Sequence, residues 1–333
     1  AMNVAQGGTS HAAVANAAFT LDRFSFSHSQ DGAFTVTQDS SSPDGFANSL
    51  KLDVTTADSS LAASQYLIME HRIEAQNLQH LHFGKSSAKN ITLSFYVKSN
   101  KTGTYGVSII QSDNSSKIAN LTYTINSADT WEEKSLTFTG DTSGVINDDN
   151  GEGLKVGFTL AVGSTWTSGD TSASFRTFVN GNYGGGHTVN ILDSTSNEWF
   201  ITGIQLEVGQ NPTEFEHEPF ESTLHKCQRY FFRWDADATS LGAGIFYSAS
   251  QVLAYHKYPR TMRANPTMSN SGSGCVYAYS RGTNLTQGGG VVHDNINKDT
   301  MRWNFTVTSN GTVGDGTYIQ LPNGEFVQGD AEL

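Results

Sequence analysis

Residues 91–99, Ile91-Thr92-Leu93-Ser94-Phe95-Tyr96-Val97-Lys98-Ser99, put Ile91, Leu93, Phe95 and Val97 on one side of an extended chain. Side chains alternate along a strand, so this period of two predicts a strand with one buried face. Residues 131–138 repeat the pattern, with Leu136 and Phe138 inward and Thr137 outward. Further strands are expected at 19–26, 34–38, 49–55, 65–70, 105–111, 119–125, 155–162 and 199–208. Turn chemistry separates them: Asp31-Gly32, Pro43-Asp44-Gly45, Lys101-Thr102-Gly103, Gly140-Asp141, Asn150-Gly151 and Gly209. The one helical possibility, 73–81, offers apolar positions only at Ile73, Leu78 and Leu81, and reads as a short turn or irregular strand. About ten strands at regular spacing, with no alternation of strand and helix, predict an all-β sandwich.

Composition shifts between Asn211-Pro212 and Pro219. Beyond this point lie an aromatic run (Tyr230, Phe231, Phe232, Trp234) and expected short strands at 244–248, 251–258, 267–270, 275–280, 301–308 and 318–321. The organisation expected is a sandwich at 1–218 and a small, Gly-rich β domain at 219–333. The aromatic run offers more apolar surface than such a small domain readily hides, so a homotrimer held mainly through 219–333 is expected.

The net charge is −12, from 20 basic and 32 acidic residues. That argues against a nucleic-acid coat, which needs a basic surface, and against docking on anionic headgroups. No apolar run reaches the length of a membrane span, and the first residues lack a basic segment followed by an apolar one. Cys227 and Cys275 are expected as free, buried thiols made in a reducing cytoplasm, with a disulfide left open.

Three stretches carry a resemblance. The first is Ala1-Met2-Asn3-Val4-Ala5-Gln6-Gly7-Gly8-Thr9-Ser10 with Phe19-Thr20-Leu21-Asp22-Arg23-Phe24. The second runs from Ile73-Glu74-Ala75-Gln76-Asn77-Leu78-Gln79 through Phe83-Gly84 and 93–99 to Trp131-Glu132-Glu133-Lys134. The third is Ile201-Thr202-Gly203-Ile204-Gln205-Leu206-Glu207-Val208-Gly209, then Phe215-Glu216 and Cys227-Gln228-Arg229-Tyr230-Phe231. Together, and in this order, they resemble tail-fibre and other virion appendage proteins of tailed bacteriophages of the marine type. Those proteins usually have Arg where Gly7 stands here. The resemblance implies a jelly-roll sandwich of the kind used by carbohydrate-binding modules. It also implies a place on the virion surface beside other virion proteins, after synthesis in the host cytoplasm, and no agreed catalytic residues. The reading that follows is a non-enzymatic structural protein that attaches to a host surface glycan. Its alternatives are a capsid decoration or head-fibre protein without ligand, and a polysaccharide depolymerase.

Residues 163–198 interrupt the strand rhythm with Gly, Ser, Thr and Asn, including Gly184-Gly185-Gly186. Long structured loops on rigid scaffolds carry recognition. The glycan-binding candidates are therefore Trp166 and Tyr183 as stacking rings, with Asn180, Asn182 and His187 as hydrogen-bond partners; the plainer alternative is that they anchor the loop. A neutral or weakly cationic glycan is expected, because a chain of net charge −12 repels a polyanion. Trp131 is read as core or edge packing and Trp199 as core.

No cofactor is expected, with Ca²⁺ the one candidate. Asp148, Asp149 and Glu152 crowd carboxylates into the oxygen-rich run 148–153, although the spacing is not that of an EF-hand and a solvated hairpin turn is the plainer reading. His80 and His82, with His71 nearby, form a weaker metal candidate. Glu214, Glu216 and Glu218 alternate, so an extended chain there puts Phe215 and His217 on the opposite face. A glycosidase pair among these carboxylates lacks any sign of a cleft.

Overall fold

The computed structural model describes residues 2–113, 116–235, 240–272, 275–280, 283–286, 291–307 and 311–333. The chain divides into two compact units, residues 1–220 together with Leu333, and Glu221–Glu332.

Among the described residues the first unit has thirteen strands: β1 (Ser10–His11), β2 (Ala18–Phe19), β3 (Phe24–Ser29), β4 (Ala33–Asp39), β5 (Ser49–Thr56), β6 (Tyr66–Glu74), β7 (Ile91–Ser99), β8 (Gly103–Gln111), β9 (Lys117–Ile125), β10 (Glu132–Phe138), β11 (Glu152–Val162), β12 (Ser172–Thr177) and β13 (Glu198–Val208). They form a six-stranded sheet, β1-β4-β5-β13-β7-β10, and a seven-stranded sheet, β12-β9-β8-β11-β6-β3-β2. The chain changes sheet between β1 and β2, β3 and β4, β5 and β6, β6 and β7, β7 and β8, β9 and β10, β10 and β11, and β12 and β13. This is the wiring of an antiparallel jelly-roll sandwich: the alternation predicts the sandwich, and the resemblance implies the jelly roll.

The period of two builds the core directly. Leu93, Phe95 and Val97 of β7, Trp199 and Ile201 of β13, and Phe158 and Leu160 of β11 are all buried between the layers. Phe95 meets Phe158 edge-on at 5.1 Å, and Trp199 donates its indole N–H to the Tyr123 hydroxyl at 3.3 Å. Trp199 is thus a core residue, with its one polar atom satisfied. Residues Ala75–Leu81 form a 3-10 helix that buries Leu78 and Leu81, where a turn or irregular strand was expected.

A helix, Phe220–Gln228, leads into the second unit. Glu221 lies in its first turn and His225 and Lys226 in its last, each matching the helix dipole. The strands are β14 (Phe231–Asp235), β15 (Ser240–Ser248), β16 (Gln251–Lys257), β17 (Thr267–Asn270), β18 (Tyr277–Ser280), β19 (Thr283–Thr286), β20 (Val292–Asp294), β21 (Thr300–Thr306), β22 (Gly316–Gln320) and β23 (Phe326–Asp330). They pair as β14-β23-β17 and β19-β18-β22-β15-β16-β21-β20. Phe232, Phe246, Met301, Trp303, Phe305 and Val327 make a core of the unit's own. The aromatic run is consumed there: Tyr230 and Phe232 are buried, and Trp234 packs on Phe232 and His256. It does not supply the unpartnered surface from which assembly was argued. Cys227 and Cys275 are not joined in a disulfide, and both are buried.

Candidate functional site

The loop expected to bind sugar is folded down on the seven-stranded sheet. Tyr183 is 6 % exposed and packs with Ile68, Ile110 and Ile118. Its hydroxyl donates to Glu70 Oε1 at 2.6 Å. Glu70, 2 % exposed, also pairs with Arg72 at 2.6 Å and Lys155 at 3.3 Å. Burial first, then the Glu70 charge, raise the Tyr183 hydroxyl well above the ordinary tyrosine range, so it stays a donor. Trp166 lies against Tyr66 at 4.8 Å and gives its indole N–H to the Ser64 carbonyl at 2.8 Å. His187 is buried, accepting from the Gly106 N–H at Nδ1 and donating from Nε2 to the Val189 carbonyl. Asn182 is buried, and only Asn180 is exposed.

This corrects the stacking role expected of Tyr183 and the sugar contacts expected of His187 and Asn182, because a ring or amide enclosed by protein offers no face to a ligand. Trp166 is half-buried, with its indole N–H already engaged. The glycines serve this close packing: a Cβ on Gly157 would meet Ile68 at 3.3 Å and the Tyr183 ring at 3.4 Å. In sequence, Gly richness reads equally as a mobile rim or as close approach.

Asp148, Asp149 and Glu152 do not converge. Asp149 Oδ1 accepts from the Gly151 N–H at 2.8 Å, and Glu152 pairs with Arg72 at 2.8 Å and accepts from Ser112. Among the described residues no group of three or more His, Cys, Asp or Glu is placed to hold a metal ion. His71 donates from Nδ1 to the Arg23 carbonyl at 3.1 Å.

The outer face of the six-stranded sheet is different. Side chains opposite the core on β7 include Tyr96 and Lys98. Register places Phe200 beside both Lys98 and Lys51, and Thr202 and Glu133 on either side of Tyr96. Lys98 Nζ lies 4.1 Å from the centre of the Phe200 ring and 5.4 Å from that of Trp131, and donates to Ser41 Oγ at 2.7 Å. Trp131 therefore belongs to this outer face, half-buried against a lysine.

Below this cluster a groove of about 510 Å³ is lined by Asp44, Phe46, Tyr96, Glu133, Thr213, Glu214, Phe215 and His217, with Pro212. Phe46 is its hub, 5.3 Å from Tyr96, 5.0 Å from Phe215 and 5.2 Å from His217. Three of the lining side chains are carboxylates and none is Lys or Arg. Burial, then Glu133 and Glu214, raise the Tyr96 hydroxyl above its ordinary range.

The strap that closes the groove is clipped to β13. Glu207 accepts from the Thr213 N–H and hydroxyl, both at 2.6 Å, and Gln205 Oε1 accepts from the Glu216 N–H at 2.8 Å. These hydrogen bonds from Thr213 hold the Glu207 carboxyl below its usual range. Between Thr202 and Gln205 the register with β7 slips by one residue, a β-bulge whose Gly203 has φ +60°.

Sequence reasoning put Phe215 and His217 on one face, and their rings do lie 5.0 Å apart. It missed Phe46 and Tyr96. The available signal for Tyr96 was an aromatic at an outward position of the most regular strand. For Phe46, in the β4–β5 connection, no pattern gives the partner.

The arrangement gathers ring faces and carboxylates on one surface. Ring faces stack on apolar ring surfaces of a ligand, and carboxylates accept hydrogen bonds from hydroxyls or ammonium groups. No family model and no curated protein matches this chain. Among solved structures it is similar to the enzymatically active domain of bacteriophage CBA120 tailspike protein 4, at 13% identity over 59% of this chain and 21% of that one, with TM-score 0.33. It is similar to a CBM4 module at 15% identity, over 60% of this chain and 95% of that one, TM-score 0.30. It is also similar to the family 11 carbohydrate-binding module of a Clostridium thermocellum cellulase, at 12% identity over 60% and 95%, TM-score 0.32. The chain spans about a fifth of the tailspike domain's length. No helix among the described residues is long and apolar enough to cross a membrane.

Proposed function

We propose that this is a non-enzymatic glycan-binding protein of a phage virion appendage, and that the sugar sits on the outer face of the six-stranded sheet. The single observation that carries the binding reading is the groove in which Phe46, Tyr96, Phe215 and His217 meet beside Asp44, Glu133 and Glu214. A sugar needs stacking surface and acceptors together, and this face has both. The virion setting is supported by the order of the three sequence stretches that resemble appendage proteins.

Three copies assemble through the second unit in this reading. What supports it is the outer face of the larger C-terminal sheet, where Ile245, Tyr255, Val292 and Tyr318 are exposed. Large apolar residues gathered on one sheet face favour burial by association.

A glycan array with the full chain tests the binding reading, read beside Phe46→Ala and Tyr96→Ala whose folding is checked by circular dichroism. Binding by the parent that both variants lose supports it. Binding that both variants keep moves the site elsewhere, and release of reducing ends from a bound polysaccharide turns the reading to an enzyme. Light scattering that gives a monomer at micromolar concentration ends the trimer, and labelled antibody on intact particles locates the protein.

A further inference from the structure

We infer that the groove selects a sugar carrying an ammonium group, an amino sugar with a free amine, over its neutral or anionic counterparts; this rests on reading the groove as the glycan site. The lining holds three carboxylates, Asp44, Glu133 and Glu214, and no Lys or Arg. Three of the rings that meet there, Phe46, Tyr96 and Phe215, are carbocyclic with negative faces, so they attract a cation rather than merely tolerate it. The lysine nearest in the sheet register, Lys98, is committed to the Phe200 ring and Ser41 Oγ. Glu133 stands opposite Tyr96 across the β7–β10 pair, and Glu214 arrives from the strap, so the negative charge comes from both walls. The raised Tyr96 hydroxyl reports the same negative field, after burial. A neutral pyranose would satisfy the rings and leave these carboxylates competing with water. An ammonium group gives them a charged partner in a partly enclosed site, where such contacts exceed those between neutral groups.

The test is calorimetry of the full chain with three hexasaccharides: β-1,4-linked glucosamine, at a pH where its amines are protonated, N-acetylglucosamine, and β-1,4-glucose. The cationic oligomer is expected to bind about tenfold tighter than the other two, about 1.4 kcal/mol, and to lose that margin in high salt. Glu133→Gln with Glu214→Gln removes the margin and leaves neutral binding in place, whereas Phe46→Ala weakens all three. Asp148→Asn with Asp170→Asn, two exposed carboxylates outside the groove, removes the same charge and leaves the margin intact. A margin lost equally in that control is attraction to overall charge and overturns the inference. Equal binding of all three oligomers overturns it while leaving the glycan reading in place. Binding of none overturns both.

Discussion

Gly203 lies directly beneath the ring of Phe46: a Cβ there would stand 2.7 Å from Phe46 Cζ, and 3.0 Å from Tyr96 Cδ2. Its φ of +60° adds a second reason for glycine, since a side chain in that region costs about 1–2 kcal/mol. The bulge residue and the groove's central ring therefore require each other. Gly203→Ala is expected to lower the melting temperature and weaken glycan binding. In a Phe46→Ala background the same substitution costs less, because the closest clash is gone. A double-mutant cycle by chemical denaturation measures that coupling, and strict additivity would contradict the contact.

The strap depends on a carboxylate. Glu207 accepts twice from Thr213, which depresses its pKa below the ordinary 4.5. A depressed carboxyl adds stability above its unfolded pKa, and that contribution is lost as pH falls through the folded value. Hydrogen exchange at the Thr213 amide is expected to speed up as pH drops below about 4.5, beyond the intrinsic pH trend. Glu207→Gln should show faster exchange at neutral pH and little further change on acidification. Unaltered Thr213 protection in that variant would rule the clip out.

The strands were legible because one physical rule, alternation against a buried face, fixes both their existence and their core side. Residues 91–99 and 267–270 match their strands end to end. The site was less legible because it is made by register and by connections. Tyr96 meets Glu133 through the β7–β10 pairing, and Phe46 meets Phe215 across some 170 residues of chain, neither of which a local pattern contains. Trp166 and Tyr183 misled for the opposite reason. A ring among glycines reads as exposed, yet these glycines let the loop approach the sheet closely enough to bury Tyr183. The helix at Phe220–Gln228 was hidden by the extended reading of the glutamates that precede it.

Substitutions in the 163–198 loop should therefore change stability more than binding. Tyr183→Phe leaves Glu70 with Arg72 and Lys155 but removes its hydroxyl donor. The expected loss is about 1.5–3 kcal/mol, the range for a hydrogen bond to a charged group. Trp166→Ala strips the cover from Tyr66 and frees the Ser64 carbonyl, with a loss in the same direction. Urea denaturation reads the stability and the glycan array reads the binding. Loss of binding by folded Tyr183→Phe would restore the loop as the receptor site.

His187 gives the first unit a built-in acid sensitivity. Burial lowers its pKa from 6.5 to about 4, and its Nδ1 is held as an acceptor by the Gly106 N–H at 3.1 Å. Protonation at Nδ1 would set two donors against each other. The unfolded chain takes up this proton near the ordinary histidine value, whereas the folded chain resists it, so acid favours unfolding. Stability should be independent of this group above about pH 6.5 and fall as pH drops toward 4, by up to ~3 kcal/mol. His71, lowered to about 3 by burial and then by Arg23, adds loss in the same direction. His187→Gln can keep both hydrogen bonds, because the amide oxygen accepts from Gly106 and the amide nitrogen donates to Val189. It carries no proton to gain. Denaturation midpoints compared between parent and variant across pH 7 to 4 isolate the histidine from every other titrating group. The parent should lose more stability than the variant across that window. Parallel curves would mean that His187 is protonated as readily folded as unfolded.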